Sequence, residues 1–184
     1  MSKGNSGLFH GTLGTTRINS TQETISYSDR NIEIPEHIKD ALSKLKNAGD
    51  VLIDTPGKFS MMDASIMSKE TGVEFAHLTI GNKSYLIRGT RNSTPIPNDL
   101  EEKLKREKGT LDFHSHPHDD DCIPSEGDKK KLEAFSKRTG QKTSKIVTPN
   151  GRTVLFDKNG VLSTGTVPNL IDESLKKALY DLWR

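Results

Sequence analysis

Apolar and polar residues change their period several times along the chain, and each change marks an element. Ile38, Leu42 and Leu45 recur at three- to four-residue spacing, which gives one apolar face to a helix from about Pro35 to Asn47. Pro35 suits its first position and Gly49 its end. Residues 51–54 read as a short strand, and 58–69 fit either a strand or a helical turn. Alternation returns in 73–80, a Gly81-Asn82-Lys83 turn follows, and 84–89 runs back, the pattern of a hairpin. After a loop come a short helix over 99–109, a strand over 110–113, and a helix from about Ser125 to Arg138 stopped by Thr139-Gly140. Residues 145–149 and 152–157 flank an Asn150-Gly151 turn as a second hairpin. Ile171, Leu175, Ala178, Leu179 and Leu182 place an apolar stripe on a helix over about 169–183, most simply core packing, with Trp183 beside it. This mixed order predicts one layered α/β domain, a mixed sheet with flanking helices.

Residues 1–30 are rich in Gly, Ser, Thr and Asn and read as a flexible N-terminal leader or linker. The expected domain therefore spans 31–184. With 184 residues, 31% hydrophobic and 28% charged, the chain is long enough for one core of modest size. Its 27 Lys and Arg are interleaved with 25 Asp and Glu for a net charge of +2, too little to predict nucleic-acid binding. The single cysteine, Cys122, excludes an intramolecular disulfide and a multi-cysteine zinc site. No apolar run approaches the roughly 18 residues of a membrane span, and no signal-peptide core is visible. A cytoplasmic protein is the default expectation, with a specialised export route left open.

The strand over 110–113 runs straight into His114-Ser115-His116-Pro117. In extended chain, side chains two apart share a face, so both imidazoles can converge on one ion. Ser125 and Asp128 stand three apart at a helix start, where the helix can return a carboxylate to the imidazole pair. Zinc favours this donor set, and three protein ligands with one open position is the catalytic pattern. Ser-x-x-Asp opening a helix is also a capping box, the plainer reading of that motif by itself. The conjunction with His-x-His makes the metal reading specific, and Ser125 can cap while its hydroxyl faces the site. Other His-x-His enzymes fit less well. Amidohydrolase barrels need about 250 residues. A cupin needs a later histidine, and none follows His118. The metallo-β-lactamase order is reversed at His118-Asp119.

A hydrolytic site also needs a base. Glu74 shares its strand face with Ala76, Leu78 and Ile80, so its carboxylate is buried or at a sheet edge, and burial without a purpose is costly. Glu70 is the reserve candidate. His118 and Asp119-Asp120-Asp121 lie beside the site and read as a solvated run rather than a contact for a basic substrate. Cys122 reads as a small, partly buried loop residue, the alternative being a fourth, inhibitory ligand. His10, His37 and His77 have no partners in sequence and read as structural or surface residues.

His114-Ser-His-Pro followed by Ser125-x-x-Asp128, with Glu74 on an upstream strand, resembles the JAMM (MPN+) metalloprotease superfamily over roughly residues 60–160. That superfamily includes deubiquitinating isopeptidases, RadC-like proteins and domains of bacterial polymorphic toxins. Residues 118–124 make the Pro117–Ser125 loop one residue longer than the commonest family spacing. The Thr71–Ala76 segment and the Gly/Ser-rich leader look most similar to toxin-associated members. The resemblance implies a cytidine-deaminase-like α/β sandwich and zinc-dependent hydrolysis of a peptide or isopeptide amide. It implies His114, His116 and Asp128 as zinc ligands. It gives Glu74 the proton transfer from water to the leaving amine, and Ser125 the hydrogen bond to the developing oxyanion. It further implies a peptide or protein substrate, such as a ubiquitin-like isopeptide, and a cognate immunity protein for a toxin. Two other readings stand beside it: an inactive zinc-binding interaction module on the same fold, and a RadC-like, nucleic-acid-associated protein.

Overall fold

A computed structural model describes residues 34–167. The expected leader (1–30), the helix over 169–183, His10 and Trp183 lie outside the described residues. In order the elements are α1 (Glu36–Lys44), β1 (Val51–Asp54), α2 (Met61–Thr71), β2 (Phe75–Ile80), β3 (Lys83–Arg88), α3 (Asn98–Arg106), β4 (Thr110–Ser115), α4 (Glu126–Thr139), β5 (Ser144–Val147), β6 (Arg152–Asp157) and β7 (Gly160–Thr166). The seven strands form one sheet in the order β1-β3-β2-β4-β5-β6-β7. Only the β4–β5 pair is parallel. The crossover between those two strands carries α4, as a parallel connection requires. The protein is thus a mixed α/β domain. Among the described residues no helix is long and apolar enough to cross a membrane.

The helices cover both sheet faces. On one face, Ile38 and Ala41 of α1, Leu45 directly after it and Met67 of α2 pack with Phe75 and Leu86. On the other, Leu100 and Leu104 of α3 and Phe135 of α4 pack with Ala76, Leu78, Ile80, Tyr85, Ile87 and Leu111. The central strands β2 and β3 are therefore buried on both sides, and their alternation sorts apolar residues between two cores.

Several boundaries differ from the sequence expectation. Residues 61–71 form a helix because Ser60 and Asp63 close a capping box and Gly72, at φ 66°, ends it. Helix α1 stops at Lys44, short of Asn47; Gly49 belongs to the following turn, where its N–H donates to the Arg88 carbonyl. Pro35 precedes the first turn as its N-cap. Strand β7 was not anticipated. It is exposed along nearly its whole length and pairs with β6, so it carries no burial-driven alternation for a sequence pattern to register.

Strand β4 holds the feature that orients the site. Its register against β2 slips between His77 and Leu78, which face Phe113 and Leu111, leaving Asp112 as an extra residue. A bulge of this kind resets the alternation of side chains. Leu111 faces the α3/α4 core, whereas Phe113, two residues on, joins Ala64 of α2 and Val147 on the opposite face. Asp112 turns to His77, bonding its Nδ1 at 2.9 Å and accepting from Thr79 Oγ1 at 2.6 Å. His77 stacks on Phe113 with ring centroids 4.9 Å apart. His77 is thus buried and structural, and remote from the α4 face of the sheet.

Candidate metal centre

His114 ends up on the α4 face because the bulge at Asp112 shifts everything beyond it by one position. Ser115, fully buried on the other face, accepts from the Phe75 N–H at 2.8 Å and ties β4 to β2. His116 follows the strand, and its N–H donates to the Val147 carbonyl. Asp128 arrives from the first turn of α4. The reactive atoms of His114, His116 and Asp128 all lie within 4.8 Å of one another. The two Nε2 atoms are 3.1 Å apart, and Asp128 Oδ1 and Oδ2 stand 3.3 and 3.6 Å from His114 and His116 respectively. Both histidines are buried, and Asp128 is partly buried with 20% of its side chain exposed. This group has the donor chemistry to hold a metal ion.

The outer contacts of the two histidines differ. His116 Nδ1 meets the Asp121 carbonyl at 2.6 Å. A carbonyl only accepts, so Nδ1 carries a proton and the neutral ring presents its Nε2 lone pair to the centre, the tautomer a ligand needs. His114 Nδ1 is buried and has no hydrogen-bond partner among the described residues, and its ring meets Phe156 edge-on at 6.1 Å. Burial holds the His114 pKa below the ordinary histidine value. Burial also opposes charge on His116, but Asp128, the Asp121 carbonyl and Glu74 outweigh it and raise its pKa. Burial works against the Asp128 carboxylate, yet the bonds from His114, His116 and Ser125 hold its pKa far below the usual range. The centre therefore holds one ionised carboxylate against two imidazoles.

The capping-box reading of Ser-x-x-Asp holds, and it leaves Asp128 within the donor group. Ser125 caps α4 by accepting from the Asp128 N–H at 3.1 Å, while Asp128 Oδ2 accepts from the Ser125 N–H at 2.9 Å and its hydroxyl at 2.7 Å. The same capping carboxylate is the third donor of the centre. The Ser125 hydroxyl is correspondingly engaged, and it must rotate before it can donate elsewhere.

Glu74 lies one residue before β2 and is 8% exposed. Its backbone is fixed by the Thr90 carbonyl and the Gly89 N–H. Burial pushes its pKa up to about 7, with Asp128 adding to the rise and His116, Thr94 and Lys131 opposing it. It lines a cleft together with His114, Ser125 and Asp128. Glu70, the reserve base, sits exposed near the end of α2, in the helix layer on the other side of the sheet. Cys122 packs with Leu132, Ile146, Val154 and Phe156 and is not part of the donor group. The long loop instead supplies the Asp121 carbonyl to His116 and the Asp119 carboxylate to the Asn150 N–H at 2.7 Å.

Two residues at the cleft escaped the sequence reading. Thr94, 6% exposed, donates its hydroxyl to Glu74 Oε2 at 3.2 Å. Lys131 donates to the Thr94 carbonyl at 3.1 Å. Lys131 follows Asp128 by three residues on α4, so helical spacing alone puts them on one face. Thr94 sits in an aperiodic loop and carries no such signal.

The fold and the centre together define a mixed α/β domain with a buried two-histidine, one-carboxylate group beside a cleft. Comparison with protein-family models, with characterised proteins and with solved structures finds no match to this chain.

Proposed function

We propose that the chain is a zinc-dependent metallopeptidase or isopeptidase of the JAMM type, on a cytidine-deaminase-like sandwich, cleaving a peptide or isopeptide amide. The observation that carries this reading is the placement of Glu74. A buried carboxylate raised to about 7 shares one cleft with His114 and Asp128 of the donor group, and a base poised near neutrality is what proton transfer at an amide requires. His114, His116 and Asp128 would hold the ion. Zinc, when bound, supplies Lewis acidity toward water and a carbonyl. Glu74 accepts the proton of the attacking water at its carboxylate and returns it to the leaving amine nitrogen. Thr94 orients that carboxylate and leaves its other oxygen toward the cleft. Ser125, after turning from Asp128, donates to the oxygen that becomes anionic. The position of Cys122 in an apolar cluster gives no support to an inactive, four-coordinate module. The near-balanced charge gives none to a nucleic-acid role.

The test is metal analysis of purified protein with a screen of peptide and ubiquitin-like isopeptide substrates. About one zinc per chain and hydrolysis abolished in Glu74→Ala, with zinc retained, is the expected result. Full activity in Glu74→Ala would overturn the base assignment, and protein with no affinity for zinc would overturn the class.

A further inference from the structure

The cleft has a second charged wall that the chemistry above does not use. Its floor is apolar, formed by Ala76, Ile96 and Leu111. Glu74, His114 and Asp128 lie at one part of it, and Lys131 and Asn92 also line it. Lys131 is half-buried. An ammonium group has three donors, and among the described residues that of Lys131 makes one hydrogen bond, to the Thr94 carbonyl. No carboxylate of the described residues lies within ion-pair distance of it, whereas its helix neighbour Lys129 is paired with Glu126. Half-buried beside apolar surface, the ammonium has two donors left for water or for a ligand in the cleft, and a charged ligand would gain more from them than water does.

Thr94 fixes where such a ligand would lie. Its carbonyl binds Lys131 while its hydroxyl binds Glu74, so one residue bridges the ammonium and the base. Both groups therefore border the same cleft with a single residue between them. We propose that Lys131 is a specificity-determining residue that binds a carboxylate of the substrate, one residue beyond the scissile amide, with the Asn92 amide as a second donor. This rests on the hydrolase reading for the word substrate and names its class: peptides whose residue after the cleaved bond carries a negative charge, as a terminal carboxylate or an acidic side chain. The intervening atoms cross the Ala76–Leu111 floor, and Lys131 closes the cleft behind them.

Two measurements on the whole chain test this. In the first, zinc-loaded protein cleaves matched peptides whose residue after the scissile bond ends in a free carboxylate or a carboxamide, and a second pair with Glu or Gln there and an amidated end. The expected result is a preference of about tenfold or more in kcat/KM for the charged member of one pair, carried mainly by KM, since a hydrogen bond to a charged group contributes about 1.5–3 kcal/mol. Which pair discriminates identifies the source of the carboxylate. Lys131→Met brings the ratio close to one, and Lys131→Arg keeps most of it. In the second, N-acetylglycine and N-acetylglycinamide are titrated into chelator-treated protein and followed by amide NMR shifts. The acid is expected to perturb residues 127–131 and the amide to perturb them less, a difference that Lys131→Met removes. Equal titration by acid and amide, or a charge preference unchanged in Lys131→Met, overturns the proposal. Charge-selective binding that Lys131→Met abolishes, in a protein that hydrolyses no amide, sustains the carboxylate site and overturns the hydrolase reading instead.

Discussion

The hydroxyl of Thr94 donates to Glu74 Oε2 across 3.2 Å, in a place where both residues are buried. The contact depends on Gly89. A Cβ there would come within 2.5 Å of the Ser93 carbonyl oxygen, 2.7 Å of Thr94 Oγ1 and 3.0 Å of the Glu74 carbonyl oxygen. The loop can close on the strand end only because Gly89 has no side chain, and that closure puts a donor on the carboxylate.

That bond favours the ionised form of Glu74. Thr94→Val is expected to raise the Glu74 pKa by about half a unit to one unit, the equivalent of a modest neutral hydrogen bond. Since the base acts ionised, activity rises with pH through its pKa. The acidic limb of the kcat/KM profile should therefore move to higher pH in Thr94→Val, with zinc content unchanged. A limb that stays in place would show that Thr94 does not set the basicity of Glu74.

The raised pKa of Glu74 also makes stability depend on pH. Between about 4.5 and about 7 the folded chain keeps a proton that the unfolded chain has released. The contribution is complete below this window and is lost as pH rises through about 7. In chelator-treated protein, wild type should lose about 1–3 kcal/mol across the window relative to Glu74→Gln, which cannot titrate. Urea unfolding at several pH values measures the difference, and parallel curves for the two proteins would contradict it.

Capping and ligation by the Ser125–Asp128 pair can be separated. Without metal, Ser125→Ala and Asp128→Ala should each lower stability by about 1 kcal/mol, the usual effect of a lost N-cap. With zinc added, Ser125→Ala should regain the metal-dependent rise in Tm, whereas Asp128→Ala should not. Equal zinc stabilisation of both variants would remove Asp128 from the ligand set.

Asp112 is expected to support the fold without touching the centre. Asp112→Ala leaves His77, whose Nε2 has no partner among the described residues, with neither ring nitrogen bonded to any of them. A loss of about 1–3 kcal/mol follows from the unsatisfied buried group. Zinc stoichiometry at saturating metal should remain that of wild type. Loss of zinc binding in a folded Asp112→Ala protein would mean that the bulge itself depends on the Asp112 side chain.

Much of the centre was legible because its signals are local. His-x-His on an extended segment, Ser-x-x-Asp at a helix start, and a glutamate in register with apolar strand residues all act over a few residues, where backbone period fixes direction. Helices α1, α3 and α4 and both hairpins were legible for the same reason, whereas the stretch that forms α2 fitted a strand or a helical turn equally. Simple alternation, however, would put Asp112, His114 and His116 on one face and would separate Leu111 from neither Phe113 nor its core. Pairing with β2 decides otherwise: the bulge sends Asp112 to His77 and leaves His114 with Glu74. Cys122 and Lys131 make the same point. The first is adjacent in sequence to the ligand loop and packs away from the ligands, and the second lies in a run of three lysines yet alone among them lines the cleft. The sequence by itself determined which side chains have the chemistry and which local element carries each one. Only the tertiary structure decided which of them meet, because strand register, loop closure on Gly89 and the choice of sheet face arise from contacts between residues far apart in the chain.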